Sequence, residues 1–407
     1  MRTSLVRTTA SRAAVMAVCW LLLGPLAYAQ RAYDSGASDT EIKVGNVAPY
    51  TGALSEFATE ERAQAAYFRM INERGGINGR KIVFISVDDG SDQRRSPRLA
   101  RQLVENDGVL LLFSVFGAQA NLDIRAYANE NKIPQLFVQS NASAFDDPSR
   151  FPWTMGFFAS TRTEALAYAN YIVQTRPAAK IGILRGDDQN GTEYVAALRE
   201  GLGTKAPGIV LKDAIFKYSD PATIDTQIEA LKASGADVFI NLAIGKSATR
   251  AIRKAYDTDW HPLQFIPNAS LSIAAFLDPA GLDKATGIIT NARSKGWATP
   301  QARADPAVKD YLDWMHKYNP DASLRDQIYV GGYERAQALA EVLRKCGDDL
   351  TRANVMKQAA SLDFELPMLL PGIRVRTSPT DYQPIKDLYL VRFNGKDWLP
   401  VQTVTGR

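Results

Sequence analysis

The sequence predicts an α/β protein built from two doubly wound parallel-sheet lobes joined by crossovers. Three observations carry this reading. Short apolar runs alternate with amphipathic stretches from Ile42 onward, and the rhythm breaks at Pro152 and starts again. The chain, 407 residues long, also exceeds what one ordinary core can bury. Strand–helix alternation of this kind builds parallel sheets with helices on both faces, and two such series build two sheets.

In the first series, residues 42–47 read as a strand. Residues 56–74 read as a helix with Ala63, Tyr67, Met70 and Ile71 on one face and Gly75-Gly76 ending it. Residues 81–87 form the next strand and 97–106 the next helix. The run 109–116 suits a strand buried on both faces, followed by a helix at 120–131 and a strand at 133–138. The second series has helices at 164–174, 192–201, 222–233 and 246–256, between strands at 180–184, 209–215, 238–242 and 263–267. Beyond Gly287 the pattern changes to a strand at 288–290 and long helices at 306–317, 327–345 and 351–360. Residues 388–393 and 399–404 close the chain as a hairpin turning at Asn394-Gly395.

Residues 1–29 read as a secretory signal. Arg2, Arg7 and Arg12 precede an apolar run at 13–23, and Ala27-Tyr28-Ala29 offers a small-x-small cleavage site before Gln30. That run is shorter than the roughly 20 residues needed to span a bilayer. Residues 30–37 would follow as a loose leader. Removing the signal removes Cys19, which leaves Cys346 alone and excludes an internal disulfide. It also turns 48 basic residues against 44 acidic into 45 against 44, so the charge balance gives no argument for nucleic acid. No later stretch is apolar enough to cross a membrane. The destination is extracytoplasmic.

Enzyme signatures are missing from the chain. It has two histidines, His261 and His316, and no Cys-x-x-Cys, His-Glu-x-x-His or phosphate-loop motif. Gly191 and Gly201-Leu202-Gly203 make no dinucleotide fingerprint. Asp88, Asp89 and Asp92 suit a polar turn at a strand end better than a metal site. No cofactor is implied, and Cys346 reads as a helix-face residue rather than a nucleophile.

Several segments together resemble a known family. They are VGNVAPYTG at 44–52, NERGGINGR at 72–80, Val87-Asp88-Asp89 and ANENKIP at 128–134. They resemble the leucine/isoleucine/valine-binding proteins, the type I periplasmic solute-binding proteins of ABC importers, and the likeness runs through the whole mature chain. The resemblance implies a periplasmic monomer that closes two lobes on a small molecule and docks on an inner-membrane ABC permease. It places lobe 1 at 38–155 and 288–370, and lobe 2 at 156–287 and 371–407, with the third crossover near Pro371-Gly372. A ligand-sensing subunit of the same fold is the alternative role.

Ligands of doubly wound sheets sit beyond the carboxyl ends of the strands. The loop Gly117-Ala118-Gln119 opens a helix there, and its free amides suit a carboxylate. The resemblance adds a second anion-contacting loop, Gln139-Ser140-Asn141, where Ser140 and Asn141 also suit N-caps. From the other lobe it brings Asp188, Asn190, Asn268 and Ser270. It aligns Ala269 with the acid that holds the ammonium group in branched-chain amino-acid binders. An ammonium buried without a partner costs several kcal/mol. Tyr50, Phe57, Phe116, Phe137 and Tyr329, with Phe157 or Phe158, gather apolar surface. The expected cargo is therefore an aromatic or branched carboxylate; an amino acid, with Asp188 moving in, is the alternative.

Overall fold

The computed structural model describes residues 31–404, and the expected signal sequence lies outside the described residues. The first series gives β1 (Glu41–Ala48), α1 (Thr59–Glu73), β2 (Lys81–Asp88), α2 (Ser96–Glu105), β3 (Leu111–Phe113), α3 (Ala118–Glu130) and β4 (Gln135–Leu136). The strands form a four-stranded parallel sheet in the order β2-β1-β3-β4. The second series gives α4 (Thr161–Thr175), β5 (Ile181–Gly186), α5 (Gln189–Leu202), β6 (Val210–Phe216) and α6 (Thr223–Ala233). It continues with β7 (Val238–Asn241), α7 (Lys246–Asp257), β8 (Leu263–Phe265) and β9 (Ile289–Ala292). Then come α8 (Pro306–Tyr318), α9 (Ile328–Cys346) and α10 (Arg352–Ala359), before the hairpin β10 (Leu388–Phe393) and β11 (Trp398–Val404). The second sheet has the order β6-β5-β7-β8-β9-β10-β11, parallel up to β9 and antiparallel through the hairpin.

The period-two burial of the strands explains why they read as unbroken apolar runs. Ile181, Ile183, Val238 and Ile240 pack on one face of the second sheet, against Tyr168 and Leu198. Leu184 and Phe239 pack on the other, against Ile224, Ile228 and Ala251. In the first sheet Leu111 and Phe113 face one core while Leu112 faces the other. Both faces of each sheet are covered by helices, so alternate positions are all apolar.

The run 109–116 is interrupted as a strand. Ser114 and Phe137, at φ 55° and 53°, leave the extended region and break the ladder, which resumes as a single Phe116–Gln139 bridge. Asn394 turns the hairpin by accepting from the amides of Lys396 and Asp397 at 2.9 and 2.8 Å. Cys346 is buried in the lobe 1 core, and burial pushes its thiol up to about 12.

Three expectations about boundaries are corrected. Strand β9 pairs with β8 and β10, so the second crossover follows Ala292 instead of preceding Ile288. Tyr382 and Ile385 pack in the lobe 1 core while Leu388 enters the lobe 2 core, so the third crossover lies beyond Ile385 and not near Pro371. The leader is docked rather than loose. Ala32–Tyr33 pairs in parallel with Asp349–Leu350, and the Tyr33 hydroxyl donates to Asp39 and accepts from the buried Arg80.

Helices α1 and α9 cross at very close range. A Cβ on Gly332 would lie 2.2 Å from the Glu60 carbonyl oxygen, a backbone atom with no room to move. Gly332→Ala is expected to destabilise the fold by roughly 1–3 kcal/mol through overpacking. Urea denaturation checks this, and an unchanged midpoint would count against so tight a crossing.

Candidate functional site

The carboxyl ends of both sheets face one another across a cavity of about 600 Å³. Lobe 1 lines it with the segments following β1, β2, β3 and β4, and lobe 2 with those following β5, β7 and β8. Phe57 and Phe116 stack at 5.3 Å between centroids and form an apolar wall with Leu54 and Ile244. At the rim Glu193 of α5 accepts from the Ser143 amide at 3.1 Å, tying one lobe to the other.

Most residues singled out from the sequence line this cavity: Phe57, Phe116 and Gly117 to Gln119; Gln139 to Asn141; and Asp188, Asn190 and Asn268. Three do not. The Tyr50 hydroxyl donates to Ser86 at 2.8 Å on the first sheet, Ser270 is buried donating to the Ala243 carbonyl at 3.1 Å, and Tyr329 packs on the lobe 1 core. Of the remaining phenylalanines, Phe158 lines the cavity, whereas Phe137 and Phe157 are core. Asp88, Asp89 and Asp92 build the turn after β2, accepting from the amides of Gly90, Ser91 and Arg94.

Several of these side chains already have protein partners. Asp188 caps α5 by accepting from the Gly191 amide at 2.7 Å. Ser140 caps its own turn, accepting from Ala142 at 3.2 Å. Asn190 accepts from the Thr161 hydroxyl at 2.8 Å. The helix opening at Gly117, whose φ is 94°, is partly capped as well. The Gln93 Oε1 accepts from the Ala120 amide at 3.2 Å, and its amide group fills the space where a Cβ on Gly117 would stand.

Four charged cavity residues went unread in the sequence. They are Glu60 on α1, Glu164 on α4, Arg293 just after β9 and Arg335 on α9. Arg293 donates through Nε to Glu334 at 3.3 Å and through Nη1 to Asn268 Oδ1 at 2.9 Å. Arg335, whose side chain is 0% exposed, pairs with Glu60 and donates to Ser114 Oγ at 2.9 Å. Both guanidiniums lie against the Phe158 ring, at 3.4 and 4.4 Å from its centroid. Burial pushes Glu334 up and Arg293 down from their ordinary values, and the guanidinium keeps its charge. The chain separations involved, such as 275 residues between Glu60 and Arg335, left no local signal to find them by. Ala269 lines the cavity without charge, yet Glu60 and Glu164 mean that the cavity is not without acids.

Two doubly wound lobes facing across a cavity, connected by a hinge of three crossovers, define a clamp that encloses a small ligand. Over residues 41–397 the chain matches the periplasmic binding protein family. It belongs to that family. The leucine-, isoleucine-, valine-, threonine-, and alanine-binding protein of Pseudomonas aeruginosa is 27% identical over 346 residues, 80% of this chain and 84% of the relative. A branched-chain amino acid ABC transporter protein from Thermus thermophilus, with bound valine, superposes with a TM-score of 0.79 at 15% identity. That match covers 91% of this chain and 97% of the other. A solute-binding protein of an ABC transporter from R. palustris, in complex with benzoate, gives 0.74 at 17% identity, over 90% and 97%. Structural likeness at such identities speaks to the fold alone.

Glu164 is a buried carboxyl lining the cavity. Burial raises its carboxyl from 4.5 to about 7, against the lowering effect of hydrogen bonds from Asn291, Asn268, Tyr168 and Tyr194. A carboxyl raised on folding contributes no penalty below its unfolded value and destabilises as pH rises from about 4.5 through about 7, by roughly 3 kcal/mol in all. The ligand-free protein is expected to lose that stability between about pH 4.5 and about pH 7, and Glu164→Gln to flatten the slope. Thermal unfolding across this range checks it. A variant with the same slope as wild type would clear Glu164 of the role.

Proposed function

We propose that the chain is the extracytoplasmic binding component of an ABC importer and that its cavity takes a small organic carboxylate on an aromatic or branched apolar body. The observation that carries this reading is the pairing of an apolar wall with surplus donors. The wall is Phe57, Phe116, Leu54 and Ile244, and the donors belong to Arg293, which lines the same cavity and engages only Nε and Nη1 with protein partners. A ligand that satisfies both surfaces is apolar along its body and brings acceptor oxygens at one end. The R. palustris protein bound to benzoate has the same fold. The protein would work in the periplasm, deliver its ligand to a membrane permease and turn nothing over. Among the described residues no helix is long and apolar enough to cross a membrane.

A second reading, an amino acid, has one specific observation in its favour. Glu164 lines the cavity and, at about 7, ionises readily when an ammonium group arrives beside it. The Pseudomonas aeruginosa relative is named for amino acids.

Thermal unfolding with benzoate, 4-hydroxybenzoate, octanoate, leucine and valine separates the two. A ligand at a hundredfold excess over its Kd adds about 2.7 kcal/mol of stability. The carboxylates are expected to raise the melting temperature and the amino acids to leave it unchanged. A shift with leucine or valine alone would replace the first reading by the second.

A further inference from the structure

We infer that the ligand carboxylate is held at the hinge end of the cavity, by Arg293 beside Phe158 with Arg335 buried behind it, and not by the helix that opens at Gly117. This deepens the reading of the cavity as an organic-acid site and rests on it. Phe158 lies on the first crossover and Arg293 on the second, where the Leu370 amide donates to the Arg293 carbonyl at 2.7 Å. The three side chains therefore close the hinge end of the cavity.

Arg293 has N–H groups to spare at this end. Each guanidinium carries five N–H groups and no acceptor. Arg293 commits Nε to Glu334 and Nη1 to Asn268. Arg335 commits Nη1 alone, to Glu60 and Ser114, and its Nε and Nη2 are buried without partners. The neighbouring Glu61 has two unpartnered oxygens, and burial raises its carboxyl well above the ordinary value while Arg335 acts to lower it. Glu60 and Glu334 balance the two arginines, which leaves hydrogen-bond geometry rather than net charge to select the ligand. A carboxylate offers two acceptor oxygens in the plane that a guanidinium fork matches. A primary amide offers one oxygen and turns its own N–H groups against the donors.

Space and competition agree with this assignment. A Cβ on Gly331 would come within 2.8 Å of Glu60 Oε1 and 3.1 Å of Arg293 Nη2, so the bare backbone of α9 keeps the Arg293 head open to the cavity. At the opposite anchor, Gln93 already takes the Ala120 amide.

The test is calorimetric titration of the mature chain with benzoate, 4-hydroxybenzoate and octanoate, each against its own primary amide. In wild type the acid is expected to bind tighter by on the order of 10- to 100-fold, the range for hydrogen bonds to a charged group. The double variant Arg293→Gln with Glu334→Gln removes one positive and one negative charge together. It is expected to lose that factor for the acid and to keep the amide affinity within about threefold. Gly331→Ala leaves every charge in place and decides the matter if the double variant does not fold; a drop in acid affinity at an unchanged melting temperature is expected. Unchanged acid affinity in the folded double variant or in Gly331→Ala would overturn the inference while leaving an organic-acid site standing. If none of the acids bound wild type, the organic-acid reading would fall and this inference with it.

Discussion

The rest of the molecule depends on the buried ionic cluster at the hinge. Arg293 and Glu334 pair beside Arg335 and Glu60, and the Phe158 ring lies against both guanidiniums. Such pairs are costly to desolvate, and removing one partner typically destabilises by about 3–5 kcal/mol because a charge is left buried alone. Its charged members come from three parts of the chain: Glu60 from a helix of the first series, Arg293 from a crossover, and Glu334 with Arg335 from the long helix that returns to lobe 1. The close crossing of α1 and α9 at Gly332 is what brings Glu60 within reach of Arg335. The Arg293 link to Asn268 carries the same network into lobe 2.

Around that cluster both lobes repeat one plan. The strand order β2-β1-β3-β4 in the first sheet is matched by β6-β5-β7-β8 in the second, each with its order reversing beside the first strand of the series. Loops diverge at such a reversal, so each sheet opens a crevice at its carboxyl edge. The positive-φ residues Ser114 and Phe137 deepen it by bending the strand ends out of the ladder. Ser114 then becomes an acceptor for both Arg335 and Gln64. Backbone strain of this kind costs of order 1–3 kcal/mol at a residue and persists where the surroundings over-determine it.

Legibility in the sequence follows the range of the interaction responsible. The β-α alternation was readable because burial on both faces of a parallel strand makes a continuous apolar run. The helix faces of Ala63, Tyr67 and Met70 were readable because helical spacing is local. The loop at Gly117 followed from those elements, since ligands gather at strand ends, while those at Gln139, Asp188 and Asn268 came from the family resemblance. Tyr50, Ser270 and Tyr329 misled because a residue one to four positions from a cavity looks the same in a sequence as one inside it. Orientation there was decided by single contacts, such as that from Tyr50 to Ser86.

By itself the sequence determined the α/β alternation, the two series and the strand-end loops, because short-range periodicity and turn chemistry write these directly into the chain. Tertiary structure alone decided where the crossovers fall, that the leader is docked, and that Gln93 covers the helix amides after Gly117. It alone also placed Glu60, Glu164, Arg293 and Arg335 around one cavity. A charged residue on a helix carries no mark of whether it faces solvent or a buried partner 275 positions away. Only packing, which sets distance and dielectric together, turns such a residue into part of a site.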